Sequence, residues 1–189
     1  MDTLRRRIPF KARDKDAIDD NEILDEQQQE ELIDKLREEN ELVNKAYLVA
    51  LKVVVGLSLL LQLATFRRNP LLTIYPLQGS QSAIPLPAAF TLLSIFVHLN
   101  LLLLLFPEEI PVLFQLSSSI NPLSFQLLYS VSAVAPTLCL FLQKPWQTFV
   151  WWCFTPIIVF IVQSVMEAIQ ESNQGIADLE TMKYTAPGA

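Results

Sequence analysis

The sequence predicts an all-α membrane protein with four transmembrane helices, the first of which runs on into a long cytosolic, amphipathic, coiled-coil-like helix. Three observations carry this expectation. The charges are segregated: of the fourteen Lys and Arg, nine fall in residues 1–45, whereas Ala46 to Met166 holds only Lys52, Arg67, Arg68, Glu108, Glu109 and Lys144. Four apolar runs are each close to the roughly 20 residues that a helix needs to cross about 30 Å of hydrocarbon. And the stretch REENELVNKAYLVALKVVVGLSLLLQLATFRR, Arg37 to Arg68, passes from carboxylate-rich to apolar sequence with neither Pro nor Gly at the junction.

Composition supports the same class. The chain has 189 residues, 51% hydrophobic and 18% charged, and once the apolar runs are set aside little remains to build a water-soluble core. An independent catalytic domain is therefore not expected. The formal net charge of −6 resides in the ends of the chain, where it aids solvation and gives no reason to expect nucleic acid as a partner. Cys139 and Cys153 both lie inside apolar runs and there is a single His, so neither a disulfide framework nor a zinc site is indicated, and no cofactor is implied. The first apolar run begins too late for a cleavable signal, and the acids Asp2, Asp14, Asp16, Asp19 and Asp20 are unlike a mitochondrial presequence.

Residues 1–19 read as a tail without regular structure. Within it, Leu4-Arg5-Arg6-Arg7 is similar to the arginine-based retrieval signals of endoplasmic reticulum membrane proteins; the plainer reading is a basic patch for anionic headgroups. Residues 20–45 form the helical arm. Asp19 with Glu22 suits a capping box, good helix formers follow, and a heptad emerges in which Ile33, Asn40 and Tyr47 share one position and Leu36, Val43 and Ala50 the other. That spacing describes a helix-pairing seam, with Asn40 as the inward polar residue that selects register. Ile33, Leu36, Asn40, Val43 and Tyr47 are accordingly the expected contact residues for a protein partner or a second copy. The competing reading is a solvated arm laced with pairs such as Glu31 with Lys35 and Glu41 with Lys45. Counted from residue 20 to 66, arm and first span together would reach nearly 70 Å at about 1.5 Å per residue.

The four spans fall at about 46–66, 88–106, 122–142 and 146–166. Lys52 interrupts the first close enough to its end to snorkel toward the headgroups. Pro136 and Pro156 interrupt the third and fourth and predict bent helices packed on neighbours. The linker Gln143 to Trp146 is so short that spans three and four must form a tight hairpin, with Pro145 in the first turn of the fourth. Trp146, Phe149, Trp151, Trp152 and Phe154 read as an interfacial aromatic belt. The Pro-rich loop from Arg67 to Pro87 reads as irregular and interfacial, and Pro107 to Pro122 as interfacial or partly re-entrant. Residues 167–189 form a tail with Ile176, Leu179 and Met182 at helical spacing.

Within the spans, His98 and Asn100 are the candidates for function, since polar groups in hydrocarbon are costly and face protein or a cavity. The expected role of His98 is a hydrogen bond to Ser130, Ser132 or Thr137 on the third span. Ser94 lies one turn away, but no carboxylate falls in any span, so the groups a hydrolase or proton relay requires are incomplete. The excess of Lys and Arg in the arm places both termini in the cytosol. The resulting expectation is a multi-pass scaffold or accessory subunit of the endoplasmic reticulum membrane, engaging the lipid bilayer and, through its arm, a partner. The alternatives are a lipid-metabolism enzyme built on His98, with Glu108 and Glu109 folded back, or a small transporter.

Overall fold

The computed structural model describes residues 26–66, 69–75, 84–106 and 122–182. They form five helices: α1 (Glu26–Ala64), α2 (Pro70–Ile74), α3 (Pro87–Leu105), α4 (Phe125–Phe141) and α5 (Trp146–Thr181). Three of them, α1, α3 and α5, contain stretches long and apolar enough to cross a membrane, and α4 is a shorter apolar helix of 17 residues. Helix α1 is unbroken over 39 residues, so one helix does cross the junction between the charged and apolar sequence. The tail without regular structure, the capping box, the arginine triplet and the segment Pro107 to Asn121 lie outside the described residues.

α1 packs on α3 and α5, α4 packs on α3 and α5, and α3 meets α5 across the centre. α1 runs antiparallel to both α3 and α5. Ser58 meets His98, Lys52 meets Phe106, and Asn40 meets Asn173. As a result the N-terminal end of α1 and the C-terminal end of α5 emerge on the same side, here termed the arm end. The opposite, hairpin end carries α2 and the α4–α5 turn.

That turn is as tight as the four-residue linker requires. The amide of Lys144 returns to the carbonyl of Cys139 at 2.9 Å, and Gln143 takes the left-handed conformation with φ 49°. This is the helix-ending geometry usually given to Gly, adopted here by a side-chain-bearing residue at a cost of about 1 kcal/mol. Pro145 stands as the residue before α5 and not inside its first turn.

Three expectations are corrected. The loop after α1 is not wholly irregular: Pro70 begins the short α2, and the side chain of Asn69 accepts from the amide of Leu71 at 3.0 Å. Pro lacks only an N–H that the first helical turn leaves unused, so it starts this helix instead of breaking it. The aromatic cluster is not a belt, since Trp151 and Trp152 are buried. Trp152 meets Phe90 edge-on, with 5.9 Å between ring centres, and Trp151 stacks on Phe154 at 6.4 Å. Only Trp146 stays exposed, against Tyr75. Finally, the polar sequence from Glu167 to Thr181 is not separate from the fourth apolar stretch, because α5 continues to Thr181.

The core divides along the bundle axis. Toward the arm end it is apolar, built from Leu51 and Val55 of α1, Val97, Leu101 and Leu105 of α3, Leu128 of α4, and Ile158, Val159 and Val162 of α5. Toward the hairpin end the buried set is mixed: a second apolar cluster of Ile84, Ala135, Cys139, Trp151 and Trp152 lies among the polar Ser58, Gln62, Thr91, Ser94, His98, Ser132, Gln147, Thr148 and Thr155. Apolar packing gains little between helices already surrounded by hydrocarbon, so the bonds among these polar groups are what give the helices a preferred partner and register.

Candidate functional site

His98 is fully buried on α3 and fixed from two sides. Its Nε2 lies 2.6 Å from Ser58 Oγ on α1, and its Nδ1 lies 2.7 Å from the carbonyl oxygen of Ser94, one turn back on its own helix. A carbonyl only accepts, so in the neutral ring Nδ1 carries the proton and Nε2 accepts from the Ser58 hydroxyl. The partner is thus Ser58 on the first span and none of the hydroxyls anticipated on the third. Ser130, Ser132 and Thr137 instead bond back to carbonyls of their own helix, those of Gln126, Tyr129, Ala133 and Val134. Such back-bonding is the default for Ser and Thr inside a helix when no outside group is better placed. Asn100 does the same, donating to the carbonyl of Phe96 at 2.9 Å.

A hydroxyl donating to an imidazole held by a carbonyl resembles the nucleophile and base of a hydrolase. The resemblance stops at that pair. Ser58 is 3% exposed and His98 0%, whereas a reaction also needs a place for the reacting atom about 3 Å from the nucleophile. Enclosed in this way, the pair suits a helix-to-helix bond.

One layer further, Ser94 Oγ and Thr155 Oγ1 are 2.6 Å apart and join α3 to α5. Beside them lies a small cavity of about 10 Å³ between α3, α4 and α5, with Ser94, Ser132 and Thr155 on its polar side and Phe90, Ala135 and Trp152 among its apolar walls. Gln62, 1% exposed, has neither side-chain oxygen nor nitrogen bonded among the described residues, and Gln147 Oε1 and Asn69 Nδ2 share that condition. No group of metal-ligating side chains occurs among the described residues.

The second candidate is the pair of helix extensions at the arm end. Asn40 donates to Asn173 Oδ1 at 2.7 Å and accepts from the Ser172 hydroxyl at 2.6 Å, while Asn44 donates to the same Asn173 oxygen at 3.0 Å. Arg37 pairs with Glu180 across the helices and with Asp34 on its own. Of the two charge pairs anticipated along the arm, Glu41 with Lys45 is present at 3.6 Å. The register residue Asn40 therefore has its partner in this chain's own α5.

The five anticipated seam residues divide. Ile33 is buried and Asn40 is engaged with α5, Leu36 is half-buried, and Val43 and Tyr47 are 49% and 52% exposed. The contact line on α1 runs instead through Ile33, Arg37, Asn40, Asn44, Leu48 and Leu51. It shares Ile33 and Asn40 with the anticipated heptad and otherwise lies one residue further along. Lys52, at the start of the apolar stretch, places its ammonium 4.1 Å from the centre of the Phe106 ring at the arm end of α3, a cation–π contact. The residues that sequence reasoning missed, Ser58, Gln62, Ser172 and Asn173, are small or neutral polar groups whose meaning depends on which helix they face.

The sequence matches no protein-family model, and comparison with curated proteins and with solved structures gave no match.

Proposed function

We propose that this chain is a four-span scaffold or accessory subunit of an internal membrane, the endoplasmic reticulum in first place, whose two cytosolic helix extensions present a docking edge to a helix of a partner protein. In this reading α4 is the remaining span. Its 17 residues cover about 26 Å, short of the usual 30 Å by an amount that local thinning of the bilayer accommodates. An even number of crossings agrees with both extensions lying on one side, and the excess of basic residues in the arm assigns that side to the cytosol.

The observation that carries the reading is the way α1 uses only part of its apolar surface. Ile33 is buried and Asn40 is bonded to α5, while Val43 and Tyr47, with Leu32 at 44% exposure, stay open on the neighbouring face. The two-helix extension holds α1 in place through polar bonds and leaves this stripe unused. Exposed apolar stripes on an element otherwise made of charged residues mark interaction sites.

The test is mild-detergent affinity purification with mass spectrometry of the full chain beside its Val43→Asp, Tyr47→Asp double variant. A protein recovered with the first and lost with the second supports the docking edge. An identical set of co-purified proteins at equal expression refutes it. Tags at the two ends, both digested by protease on sealed microsomes, support the topology; protection of either one refutes it.

A further inference from the structure

The cavity between α3, α4 and α5 has a property that its side chains alone do not reveal. Pro136 and Pro156 lie inside α4 and α5. A proline has no N–H to return to the carbonyl four residues earlier, and those carbonyls belong to Ser132 and Trp152. Both residues line the cavity. Two independent helix interruptions thus remove the usual amide donor from the carbonyls of two residues that line the same cavity. The hydroxyls of Ser94 and Thr155 bond to each other, which uses one of their two protons and leaves the other. Ser132 donates to Tyr129 and keeps its oxygen lone pairs.

Acceptors therefore outnumber donors here, in surroundings where an unsatisfied acceptor has no bulk water to turn to. The occupant has to bring a hydrogen-bond donor. It also has to be uncharged, since none of the cavity-lining residues is ionisable and a bare cation without a counter-charge is costly at this depth. The space, about 10 Å³, suits a single hydroxyl. The walls around it are Phe90, Ala135 and Trp152, and the rim includes Leu93, 38% exposed on the outer surface of α3. One residue thus both lines the pocket and stands on the outer surface of α3.

From this the geometry points to a binding site for a membrane-dissolved alcohol, a lipid whose single hydroxyl enters between α3 and α4, donates its one proton to an acceptor on the α4–α5 side, the Ser132 or Trp152 carbonyl, and accepts the free proton of the Ser94–Thr155 pair. A sterol and a diacylglycerol share this chemistry, and the site takes up the hydroxyl, leaving the body of the molecule along the outer groove at Leu93.

The full-length chain in phosphatidylcholine nanodiscs, exposed in separate arms to a photoreactive sterol and a photoreactive diacylglycerol, tests this. Saturable labelling of peptides containing Phe90–Ser94 or Val131–Ala135 is expected in at least one arm. The unlabelled alcohol should compete about tenfold better than its O-methyl ether, the scale of one intramembrane hydrogen bond. Ala135→Leu, which fills the cavity, should abolish the labelling. Leu93→Trp, on the exposed rim where folding is not at stake, should reduce it. Labelling that does not saturate, or that both variants leave unchanged, overturns the proposal and leaves a cavity holding one structural water only. Equal competition by alcohol and ether overturns the donor requirement, and a thermal stability that depends on sodium or potassium overturns the uncharged ligand in favour of a cation.

Discussion

Asn40 and Asn173, 133 residues apart in the chain, are joined side chain to side chain at 2.7 Å, with the Ser172 hydroxyl closing the arrangement from the other side of Asn40. The bond links the N-terminal extension of the first long helix to the C-terminal extension of the last. It sets their register, because sliding either helix by one turn would separate the Asn pair and part Arg37 from Glu180. The groups are exposed, so each bond contributes about 1 kcal/mol or less.

Disulfide trapping checks this pairing. Arg37→Cys with Glu180→Cys should crosslink under mild oxidant in the membrane-embedded chain, and Arg37→Cys with Cys introduced at Ala168, three turns away from Glu180, should not. Asn173→Leu should slow the first crosslink, since it removes the acceptor shared by Asn40 and Asn44. Equal crosslinking of both Cys pairs would mean that the two extensions have no fixed register.

The bond between His98 and Ser58 is the buried counterpart. Replacing His98 with Gln keeps a donor and an acceptor and should leave the bundle near its normal stability. His98→Leu should destabilise it by about 1 kcal/mol, the usual scale for hydrogen bonds between membrane helices. Ser58→Ala should cost a similar amount, and the double change little more than either alone, as expected when two residues act through one bond. Thermal unfolding in detergent measures all three. Additive losses would show that the 2.6 Å contact is not what stabilises α1 against α3.

Gln62 is predicted to behave in the opposite sense. Its amide is buried on α1 one turn beyond Ser58, without a bond among the described residues. A buried polar group left unpaired is costly, and an apolar group of the same shape removes that cost. Gln62→Leu should therefore raise the unfolding temperature, by an amount corresponding to about 1–2 kcal/mol. A fall of that size would mean that the amide is bonded in the folded protein.

How much of this was legible in the sequence depended on whether a feature is local. The long helices and the hairpin at Gln143 to Trp146 follow from run length and a four-residue linker, so they were readable. His98 and Asn100 stood out because their neighbours are Leu and Phe, yet the partner of His98 was not readable. Ser58 and the hydroxyls of α4 are equally close to it in a list of apolar runs, and only the packing of α3 on α1 selects Ser58. The line along which α1 meets α5 was not readable for a related reason. A search for apolar heptads takes Leu36, Val43 and Tyr47 and passes over Arg37 and Asn44, but the facing stretch of α5 is itself polar and pairs with the latter two. The same stretch, Glu167 to Thr181, has too few apolar residues to read as part of a span, so it read as a tail with helical spacing although α1 supplies it with partners.

The face of α1 left open by this line of contact gives the last prediction. Ile33 packs inward at 8% exposure, whereas Val43 and Tyr47 are half exposed beside it. A carboxylate at Ile33 would be forced against α5 and should loosen the extensions, seen as a weaker disulfide between Arg37→Cys and Glu180→Cys. Carboxylates at Val43 and Tyr47 already meet water in the free protein and should leave that disulfide and the unfolding temperature unchanged, since exposed substitutions usually stay within about 0.5 kcal/mol. If a partner helix covers this face, however, the same two carboxylates would be buried unpaired in the complex, and association should weaken by several kcal/mol. The two measurements therefore separate: a docking edge loses its partner with the crosslink intact, a purely structural arm loses neither, and loss of both together would show that Val43 and Tyr47 belong to the contact between the two extensions themselves.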